Sequence, residues 1–144
     1  MSIDSQNLAK ISHFLGIDYG KTNVGLAMAD NETRMAFAFN TLKNDKNFEN
    51  NLSKIIEKEN VSKVVIGIPE YHKEKKSRVS EEAGKLGEFV ESNFGIQVFY
   101  LNEMFTTKMA QNNLIEKGMK GVNKFDDQES ARIILQEWLD NNDN

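Results

Sequence analysis

Runs of apolar residues, separated by polar and glycine-containing segments, divide the chain into strands and helices. The first two runs, residues 14–18 and 23–30, flank a short glycine-containing turn and predict a β-hairpin. Residues 34–39 predict a third strand. Residues 61–68 form a β-branched run typical of a strand covered on both faces of a parallel sheet, and residues 97–101 form a similar run.

Apolar positions at helical spacing predict four helices. They lie between residues 43 and 60, and over residues 79–94, 106–117 and 127–139. Asn44 or Asp45 is the expected N-cap of the first helix, and Asp126 or Asp127 that of the last. The last helix has a regular apolar stripe, formed by Ala131, Ile134, Leu135, Trp138 and Leu139.

This order of elements predicts an α/β fold with a central mixed five-stranded sheet and helices on both faces. We expect one domain over residues 14–140, preceded by a flexible tail of residues 1–13. The chain of 144 residues contains no cysteine, no long apolar stretch and no signal-peptide core. A cytoplasmic protein that does not associate with membranes is the expectation.

The net charge of −4 argues against broad, sequence-independent binding to phosphate backbones. A local basic patch can still attract a polyanion to an acidic protein. The chain has two dense basic segments, residues 72–78 and 117–124, and the candidates for nucleic-acid contact are Lys21, Lys73, Lys75, Lys76, Arg78, Lys120 and Lys124. The alternative is that both segments are solvated loops.

Three acidic residues stand at the ends of predicted elements. Asp18 ends the first strand, Glu103 follows the last strand, and Asp127 opens the last helix. Sites in open α/β sheets gather beyond the carboxyl ends of the strands, and converging carboxylates suit Mg²⁺ or Mn²⁺. Taken singly, Asp18 could only start a turn, Glu103 could lie in a surface loop, and Asp127 could only cap its helix.

Together these residues resemble a known family. The segments Gly16-Ile17-Asp18-Tyr19-Gly20 and Val24-Gly25-Leu26-Ala27 are similar to the opening motif of the YqgF/RuvX nucleases, which have the RNase H-like fold. Further matches follow in the family's order: Val65-Ile66-Gly67-Ile68-Pro69, Arg78, Glu103 with Thr106-Thr107, and Asp127 ahead of Ala131 and Ile134-Leu135-Gln136. The resemblance covers about residues 14–140, nearly the whole chain.

The resemblance implies that Asp18, Glu103 and Asp127 are the catalytic and metal-binding acids, with Mg²⁺ or Mn²⁺ as cofactor. The choice of Asp127 over Asp126 rests on counting back from Ile134. The chain departs from the family at Asn102 and Met104, where the family usually has an acid and an arginine around the glutamate. This departure removes a cation and a carboxylate beside Glu103.

The implied function is a metal-dependent nuclease that processes the 5′ end of pre-16S rRNA, acting as a monomer or homodimer on nucleic acid. A Holliday junction resolvase would use the same site. A non-catalytic RNA-binding assembly factor is a third possibility, because the residues around Glu103 are altered. The Asp18-Tyr19-Gly20 motif also opens the phosphate loop of sugar kinases and actin-like ATPases, but this chain lacks their duplicated second half.

Overall fold

The computed structural model describes residues 11–68, 78–102 and 127–142. The strands are β1 (His13–Asp18), β2 (Asn23–Asp30), β3 (Phe37–Lys43), β4 (Val61–Ile68) and β5 (Gln97–Asn102). The helices are α1 (Phe48–Lys58), α2 (Arg78–Phe94) and α3 (Asp127–Asn141). The predicted helix over 106–117 and most of the predicted tail lie outside the described residues; β1 begins at His13, one residue before the predicted domain boundary.

The five strands form one mixed sheet in the order β3-β2-β1-β4-β5. β1 pairs antiparallel with β2 and parallel with β4, and β4 pairs parallel with β5. Strands β1, β4 and β5 therefore end at the same side of the sheet, which we call the carboxyl edge. β3 also ends there, since its last residue Lys43 is paired with Asn23, where β2 begins.

Each face of the sheet has its own apolar core, which confirms the predicted layers. Leu15 and Ile17 of β1 pack on the face covered by α1 and α2. Phe14, on the other face, packs with Ala131, Leu135 and the rest of the apolar stripe of α3, all of it buried as predicted. This division follows from the alternation of side chains along a strand.

Gly16 allows α3 to lie close against the sheet. A Cβ placed on Gly16 would lie 2.7 Å from Cβ of Leu135 and 2.9 Å from the carbonyl oxygen of Ala131. The absence of a side chain at this position therefore fixes the distance between β1 and α3.

The predicted third strand is misplaced: β3 spans Phe37–Lys43 instead of residues 34–39. Arg34 has a φ of 56° and its N–H donates to the carbonyl of Asp30 at 3.1 Å, so it belongs to a turn. The N–H of Ala36 donates to Oε1 of Gln136 at 2.8 Å. Because β3 is an edge strand with many exposed positions, its polar second half carries no apolar pattern that would reveal it.

The predicted cap of the first helix is also wrong. The N-cap of α1 is Asn47, and its side chain makes no capping hydrogen bond. Asp45 instead accepts the N–H of Asn47 on Oδ1 at 2.9 Å and the N–H of Phe48 on its carbonyl at 3.0 Å. The C-terminus of α2 agrees with the prediction, because Gly95 follows Phe94 with a φ of 65°.

Candidate active site

Asp18 is the last residue of β1 and lies half-buried at the carboxyl edge. Its partners in the sheet are Gly25 of β2 and Gly67 of β4. Because both partners are glycines, no side chain stands beside the Asp18 carboxylate on either neighbouring strand. By the alternation along β1, Asp18 shares its face of the sheet with Phe14 and Gly16, which is the face covered by α3.

Asp127 is the first residue of α3 and lies directly over Gly25. A Cβ built on Gly25 would overlap the backbone carbonyl of Asp127 and would come within 2.8 Å of its Cβ. Since Gly25 is also the residue paired with Asp18, the two acids lie at the same edge and on the same face of the sheet. Sequence reasoning predicted both acids at element ends; the contact through Gly25 is what brings them together.

Glu103, the third predicted acid, lies outside the described residues. The strand that precedes it ends at Asn102, which is paired with Ile68 at the carboxyl edge. Among residues 11–68, 78–102 and 127–142, no three acidic, histidine or cysteine side chains form a group that could hold a metal ion. A metal site with three such side chains would therefore include at least one residue outside these ranges.

The predicted basic contacts are only partly described. Lys21 is exposed in the turn between β1 and β2, two residues after Tyr19, and Arg78 begins α2. The other five lie outside the described residues: Lys73, Lys75, Lys76, Lys120 and Lys124.

All three described helices begin at the carboxyl edge. Phe48, the first residue of α1, packs edge-to-face with Tyr19 at 6.3 Å between ring centroids. Glu82, near the start of α2, accepts a hydrogen bond from the Tyr19 hydroxyl at 3.3 Å, and Asp127 of α3 lies over Gly25. Helix N-termini carry a partial positive charge, so this arrangement favours anions at the edge.

Asn44 holds the turn that follows Asp18, a role that sequence reasoning missed. Its Nδ2 donates to the carbonyl of Gly20 at 2.7 Å, and its backbone N–H donates to the carbonyl of Thr22 at 2.9 Å. The turn between β1 and β2 is thereby fixed to the end of β3. No local pattern announces these contacts, because the register of β3 against β2 creates them.

Tyr19 connects this turn to the helices on the opposite face from Asp127. Burial raises the pKa of the Tyr19 hydroxyl above its ordinary value, a hydrogen bond with the Asn44 side chain lowers it, and the Glu82 carboxylate raises it further. The net effect on the pKa is upward, so the hydroxyl remains a hydrogen-bond donor at neutral pH.

The chain belongs to the RuvX family. Residues 12–141 match the family's model, which is described as "Holliday junction resolvase". This match covers all the described strands and helices, and it confirms the resemblance that the sequence motifs indicated.

Individual relatives carry the name "Putative pre-16S rRNA nuclease". The chain is 32% identical to the protein of that name from Rickettsia akari, with 90% of this chain and 86% of the relative covered. It is 30% identical to the one from Sulfurihydrogenibium sp., with coverage of 90% and 91%. The relative from Dictyoglomus thermophilum is 29% identical, with coverage of 88% and 94%.

Solved resolvase structures share the fold. The structure titled "T. thermophilus RuvC in complex with Holliday junction substrate" superposes with a TM-score of 0.59 at 14% identity, covering 87% of this chain and 90% of that one. The fowlpox virus resolvase bound to Holliday junction DNA superposes with a TM-score of 0.58 at 17% identity, covering 90% and 97%. The RNase H-like fold expected from the sequence is thereby confirmed. No described helix is long and apolar enough to cross a membrane.

Proposed function

We propose that this protein is a metal-dependent nuclease that cleaves phosphodiester bonds at the 5′ end of pre-16S rRNA. The observation that carries the proposal is the meeting of Asp18 and Asp127 across Gly25, in a chain that belongs to the RuvX family. The names of the relatives from Rickettsia akari and Sulfurihydrogenibium supply the substrate.

The donor chemistry fits Mg²⁺ or Mn²⁺. Asp18 and Asp127 contribute carboxylate oxygens, which hard divalent cations prefer, and Glu103 is the proposed third donor. When bound, such ions activate a water molecule and stabilise the leaving oxygen of a phosphodiester. The two acids share an edge with three helix N-termini, which would offset part of their mutual repulsion.

The chain itself supplies positioning at this edge. Gly25 makes room for Asp127 beside Asp18, and Gly67 adds no side chain on the β4 flank of Asp18. Seven basic residues are proposed to hold the phosphates on either side of the acids: Lys21, Lys73, Lys75, Lys76, Arg78, Lys120 and Lys124. They would place the strand without taking part in the chemistry.

The test is cleavage of labelled pre-16S rRNA and of a four-way DNA junction by the same preparation with Mg²⁺. We expect the wild-type protein to cut the rRNA at its 5′ end and the Asp18→Asn and Asp127→Asn variants to lose cleavage. Asp126→Asn is the matched control, since it removes the neighbouring acid, and it should retain activity. Thermal unfolding should show that Asp18→Asn remains folded, with equal or higher stability because repulsion between the acids is relieved.

A junction resolvase is the second candidate, favoured by the family's description and by the solved neighbours. Cleavage of the junction alone would select it. A two-fold symmetric junction also requires a homodimer, so sedimentation of the protein–junction complex would then show two copies of the protein per junction. If neither substrate is cut and a Mn²⁺ titration shows no binding, the protein is a non-catalytic RNA-binding factor.

A further inference from the structure

A cleft of about 330 Å³ lies at the carboxyl edge, on the opposite face of the sheet from Asp127. It opens between the first turn of α1, the second and third turns of α2, and the segment that joins β3 to α1. The residues that line it include Tyr19, Asn44, Lys46, Glu49, Glu82 and Lys85. Its volume lies at the small end of the range for ligand sites, which is about 300–1,000 Å³.

Apolar groups form part of the lining. Phe48 and Leu86 contribute to it, with only 4% and 5% of their surfaces exposed. The ring of Tyr19 packs against Phe48 with an interplanar angle of 73°. Phe48 and Leu86 therefore form the floor behind the half-buried Tyr19 ring, which is the aromatic group on which a flat ring system would stack.

The polar lining carries both signs of charge. Two lysines, Lys46 and Lys85, and three acidic residues line the cleft; the acids are Asp45, Glu49 and Glu82. A phosphate would meet more carboxylates than ammonium groups here, so the cleft disfavours an anion. A neutral group with hydrogen-bond donors and acceptors on one edge would be matched by both kinds of side chain, and a nucleobase combines such an edge with a flat ring face.

The cleft lies at the same edge of the sheet as Asp18, on the face opposite to the Asp18 side chain. Tyr19 follows Asp18 directly, and consecutive Cα atoms are about 3.8 Å apart. We propose that this cleft holds one unpaired nucleobase of the strand whose phosphodiester lies at Asp18. The inference rests on the proposed nuclease function and narrows its substrate to a strand with an unpaired base beside the cut.

The apolar lining would stack on the face of the base, and the polar lining would hydrogen-bond to its edge. Tyr19 supplies the aromatic surface, and its hydroxyl is already held by Glu82 at 3.3 Å. Lys85, exposed one turn further along α2, supplies a donor to the base edge. A base that is already unpaired enters without the cost of breaking its pair and stack, which selects single-stranded or looped substrate.

The experiment measures binding of a single-stranded RNA taken from the 5′ region of pre-16S rRNA, by fluorescence anisotropy. The protein is the full chain carrying Asp18→Asn, so the RNA is not cut. A series of RNAs is compared, each with one abasic nucleotide at a different position. We expect a roughly tenfold loss of affinity at a single position, the size expected for one base stacked on an aromatic ring, and little change elsewhere.

Adding Tyr19→Leu should weaken binding of the intact RNA to the same extent and remove the effect of the abasic position. Lys85→Ala, an exposed substitution that leaves the fold intact, should reduce that effect. Lys54→Ala is the matched control, because Lys54 is exposed on α1 and does not line the cleft; it should preserve the full abasic effect.

Two results would overturn the inference while leaving the nuclease proposal standing. The first is an affinity that does not depend on the abasic position. The second is an abasic effect of unchanged size in both Tyr19→Leu and Lys85→Ala. If the RNA does not bind at all and the wild-type protein cuts neither substrate, the proposed function fails, and this inference fails with it.

Discussion

Gly25 is the residue on which the geometry of the candidate site depends most directly. It is paired with Asp18 in the sheet and lies under the backbone of Asp127. The atom that a side chain would meet there is a main-chain carbonyl, which cannot rotate away. Only glycine allows the strand and the helix N-terminus to approach each other this closely.

Gly25→Ala should therefore lower both stability and activity. We expect a loss of about 1–3 kcal/mol in the free energy of unfolding, the usual cost of overpacking. The cleavage rate of the folded protein should also fall, because α3 is displaced at Asp127. Urea unfolding and initial cleavage rates would measure the two effects. Gly84→Ala is the control, since a Cβ there meets no atom of the described part of the chain within 4 Å and helix propensity should raise stability by up to about 1 kcal/mol. Equal behaviour of the two variants would contradict the assigned role of Gly25.

Asp30 gives a residue-scale prediction about pH. Its carboxylate accepts the N–H groups of Thr33 at 2.7 Å and Glu32 at 2.8 Å, and these bonds lower the pKa of Asp30 below its ordinary value. The stabilisation is therefore fully present above the ordinary pKa near 3.8 and is lost as the pH falls through the lowered value in the folded state.

Asp30→Ala should reduce the free energy of unfolding by about 1 kcal/mol at neutral pH, a modest value because the group is exposed. The difference from wild type should shrink as the pH falls below 3.8. Urea unfolding at several pH values would measure this. A difference that stays constant down to the most acidic pH would show that the charge on Asp30 is not what holds the turn.

At the scale of elements, α3 is fixed at the end remote from Asp127. The Arg34 guanidinium donates to the carbonyls of Leu139, at 3.3 Å, and Asn142. The Gln136 side chain accepts the N–H of Ala36 at 2.8 Å and donates to the carbonyl of Arg34 at 3.4 Å. These contacts join the last turns of α3 to the connection between β2 and β3, and so set the position of the helix along its axis.

Gln136→Ala should loosen this attachment and let the first turn of α3, about 14 Å away, shift at the acids. We expect kcat to fall severalfold while KM changes little, because the acids act on the reacting bond and the substrate is held elsewhere. Glu137→Ala is the matched control, as Glu137 is exposed and, among the described residues, its hydrogen bonds stay within α3. Loss of kcat to the same extent in both variants would mean that only the general stability of α3 matters.

At the scale of the whole molecule, the protein must attract a polyanion while carrying a net charge of −4. The dense lysine segments are proposed to do this locally. Replacing Lys75 and Lys76 by Ala should weaken RNA binding and flatten its salt dependence by about one counterion per lost phosphate contact. The rate at saturating substrate should change little.

Lys54→Ala with Lys58→Ala is the matched control, because it makes the same change in net charge on α1. Binding measured between low and moderate salt should be affected less by this pair. If both pairs reduce affinity and salt slope equally, only the overall charge matters and residues 72–78 do not contact the substrate.

The sequence by itself determined the layers of the molecule. Elements buried on one or two faces have an apolar pattern that follows their own geometry, so β1, β2, β4, α2 and the stripe of α3 were predicted almost residue by residue. The pattern failed for β3, which pairs through a polar segment at the sheet edge, and for the cap of α1. The bounds of β3 are decided by its backbone pairing with β2, and the start of α1 by the hydrogen bonds of Asp45 to Asn47 and Phe48; neither is decided by burial.

The same distinction applies to the site. The sequence determined that Asp18 and Asp127 stand at element ends, because Asp18 closes the apolar run of β1 and Asp127 precedes the apolar stripe of α3. Only the tertiary structure decided that Asp18 and Asp127 share a face, that Asn44 holds the turn after Asp18, and that a cleft lies beside Tyr19. The residues joined by these contacts are separated by between 24 and more than 100 positions in the chain. The contacts form only when the strands are in register and α3 is packed on Gly16 and Gly25. Chain order carries no local signal for such distances, because they are fixed by close packing between elements.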